Sequence, residues 1–310
     1  MPLTVAEEGL NGCSGCEMAI LDMGEGLLDL LPELTFIHFP LLMDFRYRDR
    51  SCEGSHGNVP AADLGILTGG IRNDEHLAVA GAMRRNCRIL MALGTCATHG
   101  GIPALINPFG NEELLDRLYR TMEGTDAGET PAEGVPVLLD RTYALDEKVC
   151  VNVYLPGCPP HPSSIAAALR AILKGDAPDV TAKSVCEWCP TQREGKSISK
   201  QVRRFTLNAQ YRPEAPLSEM RCLLEQGLMC MGPVTKGGCG GTAGGAPRCI
   251  VARVPCRGCY GPVKHQGNQM LDMLNVLASN GTDIRSIPDR LSLLRFSGAH
   301  GRLGKKHKKS

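Results

Sequence analysis

Arg88-Ile-Leu-Met-Ala-Leu93, followed by Gly94-Thr95-Cys96, decides how this chain folds. The run is short, almost wholly apolar and stopped by glycine, so it reads as a buried strand of a parallel sheet. A cysteine is delivered just past the strand's carboxyl end. The same grammar recurs on both sides. Val149 to Leu155 reads as a strand ending at Pro156-Gly157-Cys158, and the short apolar start Leu3 to Glu8 precedes Cys13-Ser14-Gly15-Cys16. Thr35 to Phe39 is strand-like, as is Leu64 to Thr68, which runs into the Gly69-Gly70 turn.

Helical patterns alternate with these strands. Met18 to Leu31 carries a helical apolar pattern ended by Pro32, Asp74 to Arg85 reads as a helix, and Ser163 to Leu173 is Ala-rich and helical. Repeated strand–turn–helix units predict an α/β fold, a doubly wound parallel sheet with helices on both faces. Ligands of such sheets sit beyond the carboxyl ends of the strands. Cys13, Cys16, Cys96 and Cys158 are therefore expected at one edge of one sheet, although they are far apart in sequence.

Those four are part of a larger set. Twelve of the fifteen cysteines sort into three groups of four. The second group is Cys186, Cys189, Cys222 and Cys230, and the third is Cys239, Cys249, Cys256 and Cys259. A cubane iron–sulfur cluster takes four thiolates, one for each iron. Two other readings compete. A disulfide framework belongs to short secreted domains, whereas this chain has 310 residues. Its start, MPLTVAEEGLNGCSGC, shows no basic stretch followed by an apolar core, so no signal peptide is expected. Structural zinc also uses paired CxxC units, but usually from one compact segment, and the first group is scattered from residue 13 to residue 158.

Composition sets outer bounds. The length allows one large or two ordinary domains. A net charge of +1 gives no whole-chain field for nucleic acid or an acidic membrane. No apolar run approaches the roughly 20 residues that span a bilayer. After Gly175 strand periodicity fades, and Cys186 to Cys259 is loop-rich around the tract GGCGGTAGGAP (Gly237 to Pro247). That tract has no GKS or GKT and opens no obvious helix, so a loop wound round a cluster explains its glycines better than a phosphate site. Little core is visible there, so metal is expected to drive its folding. The expected division is residues 1–178, 179–275 and a C-terminal extension, 276–310, whose tail Lys305 to Ser310 reads as a solvated end.

GCSGCE, GTCATHGGIPAL, PGCPPHP, the CxxC of CEWC, CLLEQGLMCMGP and PCRGCYGP, in this order, resemble the small subunit of nickel–iron hydrogenases. The likeness runs from Leu3 to about Asn275 and is closest to the cytoplasmic, methyl-viologen-reducing type, the F420-non-reducing hydrogenase. The resemblance implies a flavodoxin-like first domain and a role in electron transport during methanogenesis. It implies three 4Fe–4S clusters: Cys13/Cys16/Cys96/Cys158 nearest the active site, Cys239/Cys249/Cys256/Cys259 in the middle and Cys186/Cys189/Cys222/Cys230 outermost.

Implied partners are a large subunit that holds nickel, an iron–sulfur electron-acceptor subunit and a heterodisulfide reductase complex. Periplasmic members place histidine where Cys186 stands and proline where Cys249 stands, and their Cys222–Cys230 spacing is two residues shorter. Respiratory quinone-reducing relatives share the first domain but use adjacent cysteines at its first motif. F420-reducing small subunits carry a ferredoxin-like cysteine run that is not seen here. An F420-reducing or sulfhydrogenase-type subunit, or a metal-stabilised scaffold without redox role, remain the alternatives. Glu17 resembles a glutamate near the subunit interface, suited to a proton path or a partner hydrogen bond, although a surface or capping role is equally open. His99 and His161 are expected to position loops or donate to sulfurs, and Cys52, Cys87 and Cys150 to be buried thiols.

Overall fold

The computed structural model describes residues 2–44, 59–124, 126, 128–131, 133–203 and 206–304. Its strands are β1 (Leu3–Gly9), β2 (Leu34–His38), β3 (Ala62–Thr68), β4 (Ile71–Asn73), β5 (Cys87–Leu93), β6 (Leu138–Tyr143) and β7 (Val153–Leu155). Its α-helices are α1 (Gly15–Leu21), α2 (Glu25–Leu28), α3 (Asp74–Asn86), α4 (Thr95–His99), α5 (Asn111–Asp116), α6 (Pro162–Leu173), α7 (Arg248–Val251) and α8 (Gln269–Ser279).

Five strands form one parallel sheet in the order β2-β1-β3-β5-β7. Numbered among themselves these strands run 2-1-3-4-5, the doubly wound order of flavodoxin. Alternation along each strand supplies two cores. Val5, Leu64, Ile66, Met91 and Leu93 face α1 and α6, while Ala6, Leu67, Leu90 and Ala92 face α3. α3 begins where Asn73 Oδ1 accepts the His76 amide at 2.7 Å, and it carries Asp74 and Glu75 in its first turn and Arg84 and Arg85 in its last. That distribution matches the helix dipole.

Register is what positions the site. Gly9 pairs with Thr68, Thr68 with Leu93, and Leu93 with Leu155. Four strand ends therefore stop at one level, and the loops leaving them start side by side.

Three local differences from the sequence reading have plain causes. The expected helix over 18–31 is two short ones, because Gly24 takes φ 56° and breaks the run. The expected strand over 149–155 pairs only at Val153–Leu155. Before it, Asn152 Oδ1 accepts the Leu90 amide at 2.8 Å in place of a backbone carbonyl. A short antiparallel pair, β4 with β6, lies outside the main sheet.

The region after Gly175 has more core than its sequence suggests. Val185, Leu224, Met231, Val234, Met273, Leu277 and Leu293 form one buried cluster, with α8 as its spine. Asn268 caps α8 by accepting from the Met270 and Leu271 amides. The helix runs through residue 275, so the expected division there falls inside an element. Downstream, the Ala299 amide donates to His99 O at 3.1 Å, which returns the chain to α4. No helix among the described residues is long and apolar enough to cross a membrane.

Burial ranks the side chains energetically. Leu93 has no exposed surface, while Leu207 is 94% exposed. Leu93→Ala should cost about 2–5 kcal/mol, and Leu207→Ala less than about 0.5 kcal/mol, read as shifts in thermal unfolding.

β1 also carries charge into the interior. Glu7 is 1% exposed, and its Oε1 lacks a hydrogen-bond partner. Burial, then Glu17 and Glu8, push its pKa up from 4.5 to about 9. The folded chain therefore holds a proton that the unfolded chain releases, and stability drains away as pH rises between those two values. Glu7→Gln removes this loss. Its melting temperature should exceed that of the unchanged protein at pH 8, with the gap closing towards pH 5.

Candidate iron–sulfur centres

The first quartet sits where the aligned strand ends put it. Cys13 and Cys16 open α1 after β1, Cys96 lies in α4 after β5, and Cys158 follows β7. The Cys16 thiol is within electrostatic reach of Cys96, Cys158 and Cys13, so all four converge. Gly94 (φ 88°) allows this approach, because a Cβ there would collide with Cys16 Sγ. Thr95 ties two of the loops. Its Oγ1 accepts from the Gly157 amide at 2.9 Å and donates to Cys259 O at 2.5 Å.

The third quartet forms around α7. Cys259 is within reach of Cys249 and Cys239, and Cys256 of Cys259 and Cys249. The second quartet lines a cavity of about 290 Å³ that contains Cys186, Cys189, Cys222 and Cys230. The longer spacing between Cys222 and Cys230 is absorbed in a closed turn, with Gln226 N donating to Cys222 O and Leu228 N to Leu223 O. Gly227 takes φ 85° at its tip. Cys222 N also donates to Gln192 O at 2.7 Å, which holds it beside the Cys189 strand of the loop.

These thiols suit a group that takes them as thiolates. Burial, then neighbouring cysteines, raise Cys96 to about 12, and burial with Cys249, Cys239 and Cys158 does the same to Cys259. Burial also raises Cys186 and Cys230 to about 12, Arg193 and two backbone amides respectively opposing it. Crowded, buried thiolates repel one another, and binding to cationic iron relieves that repulsion. Among the described residues no three Cys, His, Asp or Glu side chains close in on a single ion.

Direct contacts join the cages in a fixed order. Cys259 lies within electrostatic reach of Cys158, and its carbonyl accepts from Thr95 Oγ1 beside Cys96, linking the first quartet to the third. The Cys256 amide donates to Cys230 Sγ at 3.3 Å, linking the third to the second. The order along the molecule is first, third, second, not the order of the sequence.

Other singled-out residues separate by environment. Glu17 is buried at 6% exposure and accepts from Thr68 Oγ1 at 2.7 Å. His161 caps α6, its Nδ1 accepting from Ser163 N at 3.2 Å, and its own amide donates to the Tyr260 hydroxyl oxygen at 2.8 Å. His99 is buried beside Gly261 and meets Thr98 Oγ1 at 2.6 Å. Asp146, which the sequence reading passed over, joins His300 at 2.7 Å and His265 at 3.2 Å in the same region. Cys87 is buried as expected, but Cys150 is exposed, because the chain reaches the sheet only after it. Cys52 and the basic tail lie outside the described residues.

Residues 13–172 match the family described as NADH ubiquinone oxidoreductase, 20 Kd subunit. A vhu subunit of the F420-non-reducing hydrogenase of Methanocaldococcus jannaschii is 37% identical over 292 residues, covering 93% of this chain and 92% of that protein. A subunit of the F420-non-reducing hydrogenase of Methanothermobacter marburgensis is 35% identical and covers 87% of this chain and 82% of its own length. Among solved structures, a chain of an NAD+-reducing NiFe-hydrogenase in the H2-reduced state is 33% identical, with TM-score 0.53, over 58% of this chain and 96% of that chain. An actinobacterial-type NiFe-hydrogenase from Ralstonia eutropha H16 shares the fold over 92% of this chain and 84% of its own, with TM-score 0.52 and 16% identity. With strand order, clustered cysteines and these likenesses together, the chain belongs to the nickel–iron hydrogenase small subunits, among those of the F420-non-reducing hydrogenases.

Proposed function

We propose that this small subunit relays electrons from hydrogen oxidation in a large subunit through three 4Fe–4S clusters to an iron–sulfur partner, and onward to heterodisulfide reductase. The reading places the protein in the cytoplasm. The observation that carries it is the chain of hydrogen bonds between quartets, from Thr95 beside Cys96 to Cys259 and from Cys256 to Cys230. Each cluster would store and pass one electron. The protein's part is to hold the clusters in line, to donate amides to their sulfur ligands, and to keep water scarce around them.

The entry end is argued from exposure. Cys13 and Cys158 are exposed. Met18, Leu41, Leu42, Met43, Ile102 and Leu105 are exposed apolar residues that follow the carboxyl ends of β1, β2 and β5 in the chain. An apolar rim around an open cage fits a face that a large subunit covers. Glu17, buried on that side next to Cys16, would meet the partner or a proton leaving it. The exit end is the second quartet, farthest along the chain of contacts.

Three measurements test the reading. The purified complex should carry about twelve irons and as much acid-labile sulfide per small subunit, four per cage. Stoichiometric zinc with little sulfide would reject it. Cys249 sits in the first turn of α7, where proline is tolerated. Cys249→Pro should therefore convert the middle site to a three-iron form of higher potential while the other two sites keep their electron paramagnetic resonance spectra. An unchanged spectrum would remove Cys249 from the ligand set. Cys189→Ala should keep hydrogen–deuterium exchange and lose hydrogen-driven reduction of the acceptor. Loss of both activities in an intact complex, or of neither, would reject the relay order.

A further inference from the structure

Trp188 is the chain's single tryptophan and lies between the two cysteines of the Cys186/Cys189 pair. Its indole does not face the second quartet alone. It lies against the glycine tract that carries Cys239. A Cβ on Gly237 would overlap the six-membered ring, coming within 2.7 Å of Cε3, and one on Gly244 would touch Nε1 at 3.4 Å. Indole and loop together enclose a space of about 10 Å³ lined by Val185, Gly238, Cys239, Gly240 and Pro247 among others. That is at or below the room one water needs, about 10–15 Å³. Gly237 does not take a positive φ. The residue is small because of the ring, not because of its backbone.

We propose that Trp188 is a positioning residue of the middle centre: its indole, held by the outer cysteine pair, closes the Cys239 loop against water and thereby sets how readily the middle cluster is reduced. The proposal rests on the reading of the second and third quartets as cluster sites. Its physical basis is electrostatic. Four thiolates leave such a cluster anionic, and reduction adds further negative charge, which water stabilises and a dry wall does not. A closed loop holds the potential down. Opening it raises the potential. The same contact fixes the distance between the outer pair and the middle loop, because one side chain is anchored in the first and packed in the second.

The test uses the intact hydrogenase complex in three variants and one double variant. Iron and sulfide are measured first in every preparation. Potentiometric titration followed by electron paramagnetic resonance then reads the three centres, the middle signal being the one altered by Cys249→Pro. Trp188→Ala should raise the reduced-to-oxidised ratio of the middle centre about tenfold at fixed potential, an upward shift of about 59 mV. The outer centre should stay in place. Trp188→Phe, which keeps a flat ring against Gly237, should restore most of the original value. Gly237→Ala should displace the ring and shift the middle centre in the same direction.

Gly237→Ala should add little once Trp188 is already alanine, since no ring remains to displace. Selective loss of the middle four irons in Trp188→Ala, rescued by Trp188→Phe, would equally support the closure. An unmoved middle centre at full iron content would overturn the proposal. So would an equal shift at the outer centre, additive effects in the double variant, or iron lost evenly from all three sites. If the unchanged complex itself lacked iron and sulfide, the proposal would fall together with the cluster reading, and metal analysis alone would distinguish that case.

Discussion

The register of the parallel sheet is the constraint on which the rest depends. Gly9, Thr68, Leu93 and Leu155 stand at one level because each pairs with its neighbour in an unshifted ladder. A slip of one residue would turn every core side chain to the opposite face and move one cysteine loop by a residue's rise. Both faces of the sheet are filled, by α1 and α6 on one side and α3 on the other, so no slipped register buries the same apolar set. Packing in the first domain thus fixes the geometry of a metal cage that no local segment could build. The cage in turn positions the next one, since Thr95 hydrogen-bonds the Cys259 turn.

How much of this was legible in the sequence follows from the range of each signal. Arg88–Cys96 announced strand and stop within nine residues, and the structure keeps both, with Cys96 just past the strand end. The grouping of cysteines was legible because thiols are rare, and the structure brings the members of each group near one another. Elements with weak local signals were not. β6 has an ordinary composition and gains its partner β4 only through a contact about seventy residues away. α8 was overlooked because its apolar face, Met273 and Leu277, has meaning only against Val185, Met231 and Val234 from distant loops. The glycine tract had a visible composition but an invisible cause, since nothing local says that an indole from residue 188 fills it.

The expectation that metal substitutes for core after Gly175 therefore needs a physical revision. Apolar burial and thiol burial are interleaved there: Cys230 and Cys256 belong to the same buried cluster as Met273 and Leu277. Apolar neighbours raise the cost of ionising those thiols, and iron that takes them ionised offsets that cost. Neither contribution stands alone. If these cysteines hold clusters as proposed, folding of this region and loading of its two cages would be thermodynamically linked, each making the other more favourable.

On the relay proposed above, the contacts between cages would also serve conduction. A hydrogen bond from the backbone of one ligand to the sulfur of another, as from Cys256 to Cys230, holds two metal sites at a distance set by covalent geometry instead of by flexible side chains. It also makes each site sense the charge of the next, because an amide that stabilises negative sulfur favours the reduced state there. A relay needs both features: close, fixed spacing and graded preference for the electron. On that proposal the same backbone turns would supply both, since the loops of the third quartet are tied to the first through Thr95 and to the second through Cys256. Those loops are held from the outside by Thr95, Tyr260 and Trp188, none of them a ligand. On the proposed relay, side chains beyond the thiolates would therefore carry much of the control over how electrons move.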